Sequence, residues 1–218
     1  MKKVLLTGAS GGLGTHLANY LLSSGYYVYM LYHHDKTSVM NIMNKYPNTS
    51  SIYEIDITNE EEIQALHSKI GDIDILINCA GIDHVSELED KNMETLVNVF
   101  KVNTGGPFLL IKYFGKHINE VKGNIINISS DNTIDQYDEV TLEYDISKSG
   151  LNMLTKICAR TLPNAHVNAL AIGWLDTKMN NIPDDIKSEI KFVPFTKVCD
   201  EINECLTGDD TDLIITIR

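Results

Sequence analysis

Short apolar runs recur along the chain at spacings that fit strands alternating with helices. Seven of these runs occupy residues 4–6, 28–31, 52–55, 73–77, 125–128, 167–171 and 213–217. Unbroken apolar runs of this length, rich in Ile, Val and Leu, are typical of strands that are buried on both faces. The pattern therefore predicts seven buried strands.

The segments between these runs carry apolar residues at helical spacing. Leu13, Leu17 and Leu21 are four residues apart, and a helix around residues 63–70 is expected to start from a capping box running from Thr58 to Glu61. Because parallel strands need crossover helices, this alternation predicts an α/β fold with a doubly wound parallel sheet. Ligands of such sheets bind at the carboxyl ends of the strands.

The length of 218 residues predicts a single domain over residues 1–218. Within it, the polar stretch 131–143 is interpreted as a loop and the stretch 177–198 as a flexible flap or lid. Thirty acidic residues against eighteen basic ones give a net charge of −12, which argues against nucleic acid as the main partner. No apolar run approaches the roughly 20 residues that a membrane helix needs, so no membrane partner is expected.

The four cysteines show neither CxxC pairs nor a neighbouring histidine cluster. Neither a metal site nor a disulfide framework is therefore expected, and idle thiols in a reducing compartment are the simplest interpretation. The apolar run after Lys2 and Lys3 leads straight into a glycine-rich turn, without the apolar core or the cleavage site of a signal peptide. These features predict a cytoplasmic protein.

A glycine-rich turn, TGASGGLG at residues 7–14, joins the first strand to the first helix. Missing side chains at such a turn let a pyrophosphate approach backbone N–H groups at the positive end of a helix, although glycines also serve plain tight turns. The residues expected to bind a dinucleotide here are Gly8, Ser10, Gly11, Gly12, Leu13 and Gly14.

Two further strand ends carry candidate contacts to the same ligand. Asp56, followed by Ile57, either accepts a hydrogen bond from an adenine amino group or serves as a helix-start residue. Asn78, Ala80 and Gly81 end the fourth strand, where small residues either admit a ribose against the backbone or form a plain turn.

The motifs TGASGGLG, INCAG and YDISK, in this order, resemble the TGxxxGxG, NNAG and YxxxK motifs of the short-chain dehydrogenases/reductases. The resemblance covers essentially the whole chain. It implies a Rossmann-like fold and hydride transfer between a nicotinamide dinucleotide and a small carbonyl or alcohol substrate. The glycine spacing differs from the TGxxGxxG of the family's nucleotide-sugar epimerase branch.

Tyr144 and Lys148 are four residues apart, so a helix would place both on one face. One positive charge at ~4 Å in an effective dielectric of ~20 is worth about 4 kcal/mol, enough to lower the pKa of a phenol by nearly three units before desolvation. The resemblance implies that Tyr144 is the catalytic acid or base. It also implies that Lys148 lowers the pKa of that tyrosine and holds the nicotinamide ribose.

The resemblance assigns roles to residues in three other segments. Ser130 would hydrogen-bond the substrate oxygen, with Ser129 as the alternative, and Asn103 would hold a water in a proton relay to the lysine or else mark a helix kink. Gly173 and Thr177 would contact the nicotinamide carboxamide, although Ile172 replaces the family's proline. Trp174 either lines the substrate mouth or packs under the lid.

The end of the second strand bears on the choice between NADP and NAD. Tyr32 stands where relatives that use NAD carry an aspartate, and His33 and His34 follow it. Against NADP, Gly11 stands where many relatives that use NADP carry a basic residue. A solvated strand end is an equal interpretation of the histidine pair. NADP is the predicted cofactor, with NAD as the alternative.

The helices that carry Asn103 and Tyr144 are expected to form a homodimer or homotetramer, as in relatives. Residues 108–114 make the first of them apolar nearly all round, and the short segment after the last strand favours the dimer. The competing function is a non-catalytic regulator that binds a dinucleotide on the same fold. The retained catalytic residues favour an enzyme, most simply a carbonyl reductase.

Overall fold

Seven parallel strands form one central sheet in the computed structural model, which describes residues 1–135, 137–177, 179 and 187–218. The strands are β1 (Lys3–Leu6), β2 (Tyr27–Tyr32), β3 (Ser50–Glu54), β4 (Ile75–Asn78), β5 (Asn124–Ser130), β6 (His166–Ile172) and β7 (Ile214–Ile217). Their order across the sheet is β3-β2-β1-β4-β5-β6-β7. The predicted α/β class with a Rossmann-like, doubly wound sheet is confirmed.

Helices cover both faces of this sheet. They are α1 (Gly12–Ser23), α2 (Lys36–Lys45), α3 (Glu60–Ile70), α4 (Met93–Phe100), α5 (Gly106–Glu120), α6 (Leu142–Thr161) and α7 (Phe195–Thr207). The helices α1, α2 and α7 pack on one face, and α3, α5 and α6 pack on the other. A π-helical turn, Lys101–Gly105, joins α4 to α5, and such turns are frequent at functional sites.

Alternate residues of each strand enter opposite cores, as expected for a sheet buried on both faces. In β1, Val4 and Leu6 pack on the α1 side, whereas Leu5 packs on the α3 side. Strands β2 and β3 lie on one side of β1 and β4 to β7 lie on the other, so Val4 pairs with both Val28 and Ile75. The carboxyl ends of β1 and β4 therefore flank the crevice in which ligands of this architecture bind.

The predicted capping box is wrong by one residue. Asn59 is the N-cap of α3, and its Oδ1 accepts hydrogen bonds from the backbone N–H groups of Glu61 at 3.1 Å and Glu62 at 3.4 Å. Thr58 instead donates through its backbone N–H and its hydroxyl to Asp56 Oδ1, both at 2.8 Å. Thr58 therefore belongs to the turn around Asp56, which precedes the helix.

Parts of the predicted loop and lid form short helical turns and the beginnings of α6 and α7. Within 131–143 the chain forms the 3₁₀ turns Asp131–Thr133 and Glu139–Thr141, and α6 begins at Leu142. The last four residues of the predicted lid belong to α7. Residues 178 and 180–186 of that lid lie outside the described residues. Within the described ranges, no helix combines the length and apolar character needed to cross a membrane.

Candidate active site

A cavity of about 990 Å³ lies at the carboxyl ends of the strands, around the β1/β4 crevice. It brings together most of the residues predicted from the sequence. Those that line it are Gly8, Ser10, Gly11, Gly12, Leu13, Gly14, His33, His34, Asp56, Ile57, Ala80, Gly81, Ser129, Ser130, Tyr144, Lys148, Gly173 and Thr177.

The glycine turn is packed so closely that side chains are excluded at two of its positions. Gly8 has φ +63°, and a Cβ there would lie 2.7 Å from the Cα of Ala80. A Cβ on Gly14 would collide with the carbonyl oxygen of Gly8. Gly11, the N-cap of α1, offers no side-chain cap to the first turn. These features fit a turn whose backbone N–H groups receive a pyrophosphate.

Two threonines, Thr7 and Thr177, pack around this turn. The buried Thr7 hydroxyl oxygen accepts hydrogen bonds from the backbone N–H groups of Cys79 at 3.0 Å and Ala80 at 2.9 Å, which ties the end of β1 to the end of β4. A Cβ on Gly12 would lie 2.6 Å from Thr177 Cγ2, so the glycine makes room for Thr177. Thr7 was not among the predicted site residues, although it is the first residue of the TGASGGLG motif.

The far end of the cavity carries His33 and His34, which are exposed just after β2 with their ring centroids 3.9 Å apart. Tyr32 is buried, and its hydroxyl donates to Glu54 Oε2 at 3.3 Å. Asp56 lines the wall nearby. Burial opposes ionisation of its carboxyl, but the hydrogen bonds from Thr58 outweigh this and lower the pKa of Asp56. Asp56 is therefore both a turn residue and an anionic part of the wall.

Asn78 does not take the place predicted for it. Its side chain is 2% exposed and lies within the sheet, where Nδ2 donates to Asn127 Oδ1 at 2.8 Å. Asn127 in turn donates to the Thr155 hydroxyl at 2.8 Å. The Asn78 amide thus links β4 to β5 and α6, and it is the next residue, Cys79, that lines the cavity.

Tyr144 and Lys148 lie one turn apart in α6 and face the cavity together. Lys148 Nζ is 5.5 Å from the centroid of the Tyr144 ring. The lysine side chain is 4% exposed, and Nζ donates to the backbone carbonyl of Ile128 at 2.7 Å. The ammonium group is therefore held between the tyrosine and the end of β5.

The charge distribution around this pair differs from the sequence expectation. Burial raises the pKa of Tyr144, the Asp83 carboxylate raises it further, and the contact with the Ser130 hydroxyl lowers it. Burial also lowers the pKa of Lys148 to about 8. The predicted depression of the tyrosine pKa by Lys148 is thus not the shift that the geometry gives, because desolvation and nearby carboxylates dominate.

The contact with Tyr144 distinguishes Ser130 from Ser129. The Ser130 hydroxyl lies close enough to the Tyr144 side chain to lower the pKa of that phenol, and it accepts from the backbone N–H of Asn132 at 3.3 Å. The Ser129 hydroxyl is buried in the cavity wall and has no hydrogen-bond partner among the residues that the structure describes. Ser130 is therefore the serine placed beside the tyrosine.

Asn103 lies in the π-helical turn and is fully buried beside the cavity. Its Oδ1 accepts from the backbone N–H of Ile82 at 2.8 Å, and its Nδ2 donates to the Ile82 carbonyl and the Ser147 hydroxyl, both at 2.9 Å. The side chain thus clamps the segment after β4 to α6. These contacts engage both amide donors and the amide oxygen, so the side chain holds the backbone after β4 in place.

The segment after β6 closes the site. Ile172 continues β6 and pairs with Ile217, so the replacement of the family's proline extends the strand. The backbone N–H of Gly173 donates to the Ile217 carbonyl at 2.9 Å. Trp174 lines the cavity with 43% of its surface exposed, which places it at the mouth.

Comparison with protein families matches residues 2–186 to the short chain dehydrogenase family. The chain belongs to the short-chain dehydrogenase/reductase family. It is 30% identical over 193 residues to glucose 1-dehydrogenase 2 of Bacillus subtilis, covering 82% of this chain and 74% of that protein. It is 31% identical over 205 residues to the 3-oxoacyl-[acyl-carrier-protein] reductase FabG of Aquifex aeolicus, covering 87% and 81%.

Solved structures of this family share the fold across nearly the whole chain. A 3-ketoacyl-(acyl-carrier-protein) reductase from Brucella melitensis complexed with NADH superposes with a TM-score of 0.88 at 21% identity, covering 99% of this chain and 96% of that one. The RhlG/NADP complex from Pseudomonas aeruginosa gives 0.88 at 23% identity, covering 99% and 94%. This short-chain dehydrogenase/reductase is an NAD(P)-dependent oxidoreductase, and a purely regulatory role is not favoured.

Proposed function

We propose that this short-chain dehydrogenase/reductase interconverts a ketone and a secondary alcohol with NADP, using Tyr144 as the acid or base. The observation that carries the proposal is the convergence of Tyr144, Lys148 and Ser130 on one wall of the cavity. The same cavity extends to the glycine turn, whose closely packed Gly8 and Gly14 fit a dinucleotide.

In the reductive direction, Tyr144 donates its phenolic proton to the substrate oxygen while the substrate carbon is reduced. A nicotinamide dinucleotide bound at the glycine turn supplies the two electrons and the hydrogen for that carbon. The Ser130 hydroxyl, in contact with the tyrosine, hydrogen-bonds the same oxygen as negative charge develops on it. In oxidation, the phenolate takes the hydroxyl proton instead.

Lys148 supports this chemistry as a nearby cation. Its ammonium, 5.5 Å from the Tyr144 ring centroid, stabilises the phenolate when the proton has left. We assign Ser10, Leu13, Ala80, Gly81, Gly173 and Thr177 to the walls that would hold the dinucleotide. Asn103 is a positioning residue, because its amide holds the Ile82 backbone against α6.

The direct test is oxidation of reduced cofactor by the purified protein across ketones, diketones, acyl thioesters and sugars. We expect turnover with at least one ketone and reversal with the matching alcohol. A dinucleotide-binding regulator would bind the cofactor without turnover in any of these assays. That second outcome would replace the enzymatic proposal with the regulatory one.

We expect NADPH to bind more tightly than NADH. The imidazoles of His33 and His34 at the exposed end of β2 offer hydrogen bonds to a 2′-phosphate, and buried Tyr32 places no acid at this position. One charge-assisted hydrogen bond of about 1.5 kcal/mol corresponds to roughly tenfold in affinity. Calorimetry with both cofactors measures the ratio, and a His33→Ala, His34→Ala double variant should reduce it. Equal affinities or a preference for NADH would overturn the prediction.

We expect a homodimer that pairs through α5 and α6, and a homotetramer is the alternative. On α6, the exposed side chains Ile146, Met153 and Ile157 form one stripe, and Phe108 on α5 is 51% exposed. The exposed surface of α5 carries fewer apolar side chains than predicted, because Ile111 and Phe114 are buried. A self-complementary patch favours two-fold pairing.

Light scattering at micromolar concentration tests this assembly. Met153→Glu should shift the protein towards the monomer, whereas Met40→Glu, on the exposed surface of α2, should leave the mass unchanged. A wild-type monomer with full activity would contradict the prediction.

We further propose a cytoplasmic location and a small-molecule partner in place of nucleic acid. All four cysteines are free thiols, which fits a reducing compartment. The net charge of −12 repels polyanions at long range.

A further inference from the structure

Carboxylates line the part of the cavity that surrounds Tyr144. Asp83 follows β4, Asp131 follows β5, and Asp138 precedes α6, and all three line the cavity. We call these three residues the acidic wall. None of them belongs to the motifs by which the sequence indicated this site.

Two members of the acidic wall already have compensating partners within the protein. Asp131 Oδ2 accepts from Arg218 Nε at 3.3 Å. Asp138 Oδ1 accepts from the backbone N–H of Val140 at 3.1 Å and caps the turn before α6. Both carboxylates therefore have a structural role within the protein.

Asp83, unlike Asp131, has no cationic partner within salt-bridge distance among the described residues. Among the residues that the structure describes it forms no ion pair, and its Oδ1 accepts only the neighbouring backbone N–H of His84, at 2.6 Å. Lys148 faces the same space and its charge attracts Asp83, since the Asp83 carboxylate raises the pKa of Lys148, but its hydrogen bond goes to the Ile128 carbonyl. Glu143, the buried carboxylate nearby, is by contrast paired with Lys91 at 2.7 Å.

The surroundings of Asp83 make this negative charge costly. Burial raises the pKa of Asp83, and the carboxylates of Asp145 and Glu143 raise it further. Asp83 in turn raises the pKa of Tyr144, and both residues line the same cavity. A cation bound between Asp83 and Tyr144 would relieve both repulsions.

A second, independent observation points to a polar ligand in this cavity. The Ser129 hydroxyl in its wall is 3% exposed and lacks a hydrogen-bond partner among the described residues. Leaving a buried hydroxyl without a hydrogen-bond partner is unfavourable. A ligand that carries hydrogen-bonding groups near the reacting carbon would satisfy it.

We propose that the substrate is an amino alcohol or amino ketone whose protonated amine lies on the carbon next to the reacting carbon and pairs with Asp83. The inference rests on the proposed function, because it names the substrate class of the same site. An anionic substrate would meet a carboxylate without a salt-bridge partner at the same place, so it is disfavoured. A neutral polyol would satisfy the Ser129 hydroxyl but would leave the charge of Asp83 unpaired.

Two matched series of alcohols test this assignment. The first is 1-amino-2-propanol, 1,2-propanediol and lactate, and the second is 2-amino-1-phenylethanol, 1-phenyl-1,2-ethanediol and mandelate. Within each series only the group attached to the carbinol carbon changes, from CH₂NH₃⁺ to CH₂OH to COO⁻. Binding to the cofactor-loaded protein is measured by calorimetry, and oxidation is followed by formation of reduced cofactor.

In at least one series we expect the ammonium member to bind roughly tenfold more tightly than the diol, with the carboxylate weakest. Asp83→Asn should reduce that ratio to near one. Asp90→Asn, which removes the same charge from an exposed position of the neighbouring loop, should preserve the ratio.

The two proposals fail in different ways. Diols that bind as well as amines, an ammonium member that does not bind, or an unchanged ratio in Asp83→Asn would each overturn the assignment of Asp83. Oxidation of diols without any preference for amines would leave the proposed function standing alone. Preferential binding of amines with no oxidation in either series would support the site but contradict the proposed chemistry.

Discussion

Replacing Tyr144 by phenylalanine is expected to abolish nearly all turnover while leaving cofactor affinity unchanged. The substitution removes only the phenolic hydroxyl, which contacts Ser130 at the wall of the cavity. A positioned acid or base contributes typically 10²- to 10⁴-fold to a rate, so a loss of roughly that size is expected. The glycine turn lies at the other end of the cavity, so the dinucleotide should bind as in the wild type.

Single-turnover kinetics and calorimetry separate these two effects. Tyr137→Phe is the matched control, because Tyr137 is 85% exposed in the segment that precedes α6. This control should keep wild-type turnover. If Tyr144→Phe retained wild-type turnover, another group would have to supply the proton. A parallel loss of cofactor affinity would mean that the phenol contributes mainly to binding.

The strands were predictable from the sequence because a sheet buried on both faces needs unbroken apolar runs. All seven predicted runs coincide with observed strands, and the glycine turn joins β1 to α1 as expected. The spacing of Tyr144 and Lys148 likewise sufficed, since four residues in a helix bring two side chains to one face. These predictions succeeded because they depend only on the spacing of residues that are close together in the sequence.

The errors arose where tertiary contacts decide the outcome. Asn78 was placed at the cofactor because it ends a strand, but the direction of its side chain depends on Asn127, forty-nine residues away. Asp83 belongs to no motif, and the role that we propose for it depends on its burial near Asp145 and Glu143. Spacing along the chain does not report which distant groups share one cavity.

The direction of the Tyr144 pKa shift differs from the sequence argument for the same reason. The sequence argument counted one favourable charge at short range, whereas the folded site adds desolvation of both groups and the opposing field of Asp83. The resulting arrangement keeps a buried ammonium at a position where it weakens the fold. Retention of such a group where it costs stability is typical of functional sites.

Replacing Lys148 by methionine should therefore stabilise the free protein while it removes activity. Burial lowers the pKa of Lys148 from 10.5 to about 8. At 1.36 kcal/mol per pKa unit, keeping the buried ammonium charged costs about 3 kcal/mol. The hydrogen bond to the Ile128 carbonyl, worth about 1 kcal/mol, offsets part of this. We expect the variant to gain about 2 kcal/mol at pH 7, or roughly 4–8 °C in Tm.

The pH dependence identifies the cause of this gain. Below pH 8 the lysine is charged in both the folded and the unfolded state, so the full cost is present. As pH rises from about 8 to 10.5 the folded state releases its proton first, and the stability of the wild type rises relative to the variant. The advantage of Lys148→Met should therefore shrink over this range and reverse by about 1 kcal/mol above it, because the neutral amine can still donate to the Ile128 carbonyl.

Urea unfolding of both proteins across this pH range measures the difference. Lys156→Met is the control, because Lys156 is exposed on the same helix and its replacement should leave the difference near zero at every pH. A variant that is less stable than the wild type at pH 7 would show that the contacts of Lys148 outweigh its desolvation. Turnover of Lys148→Met should fall with that of Tyr144→Phe, because without the ammonium the phenolate loses its neighbouring cation.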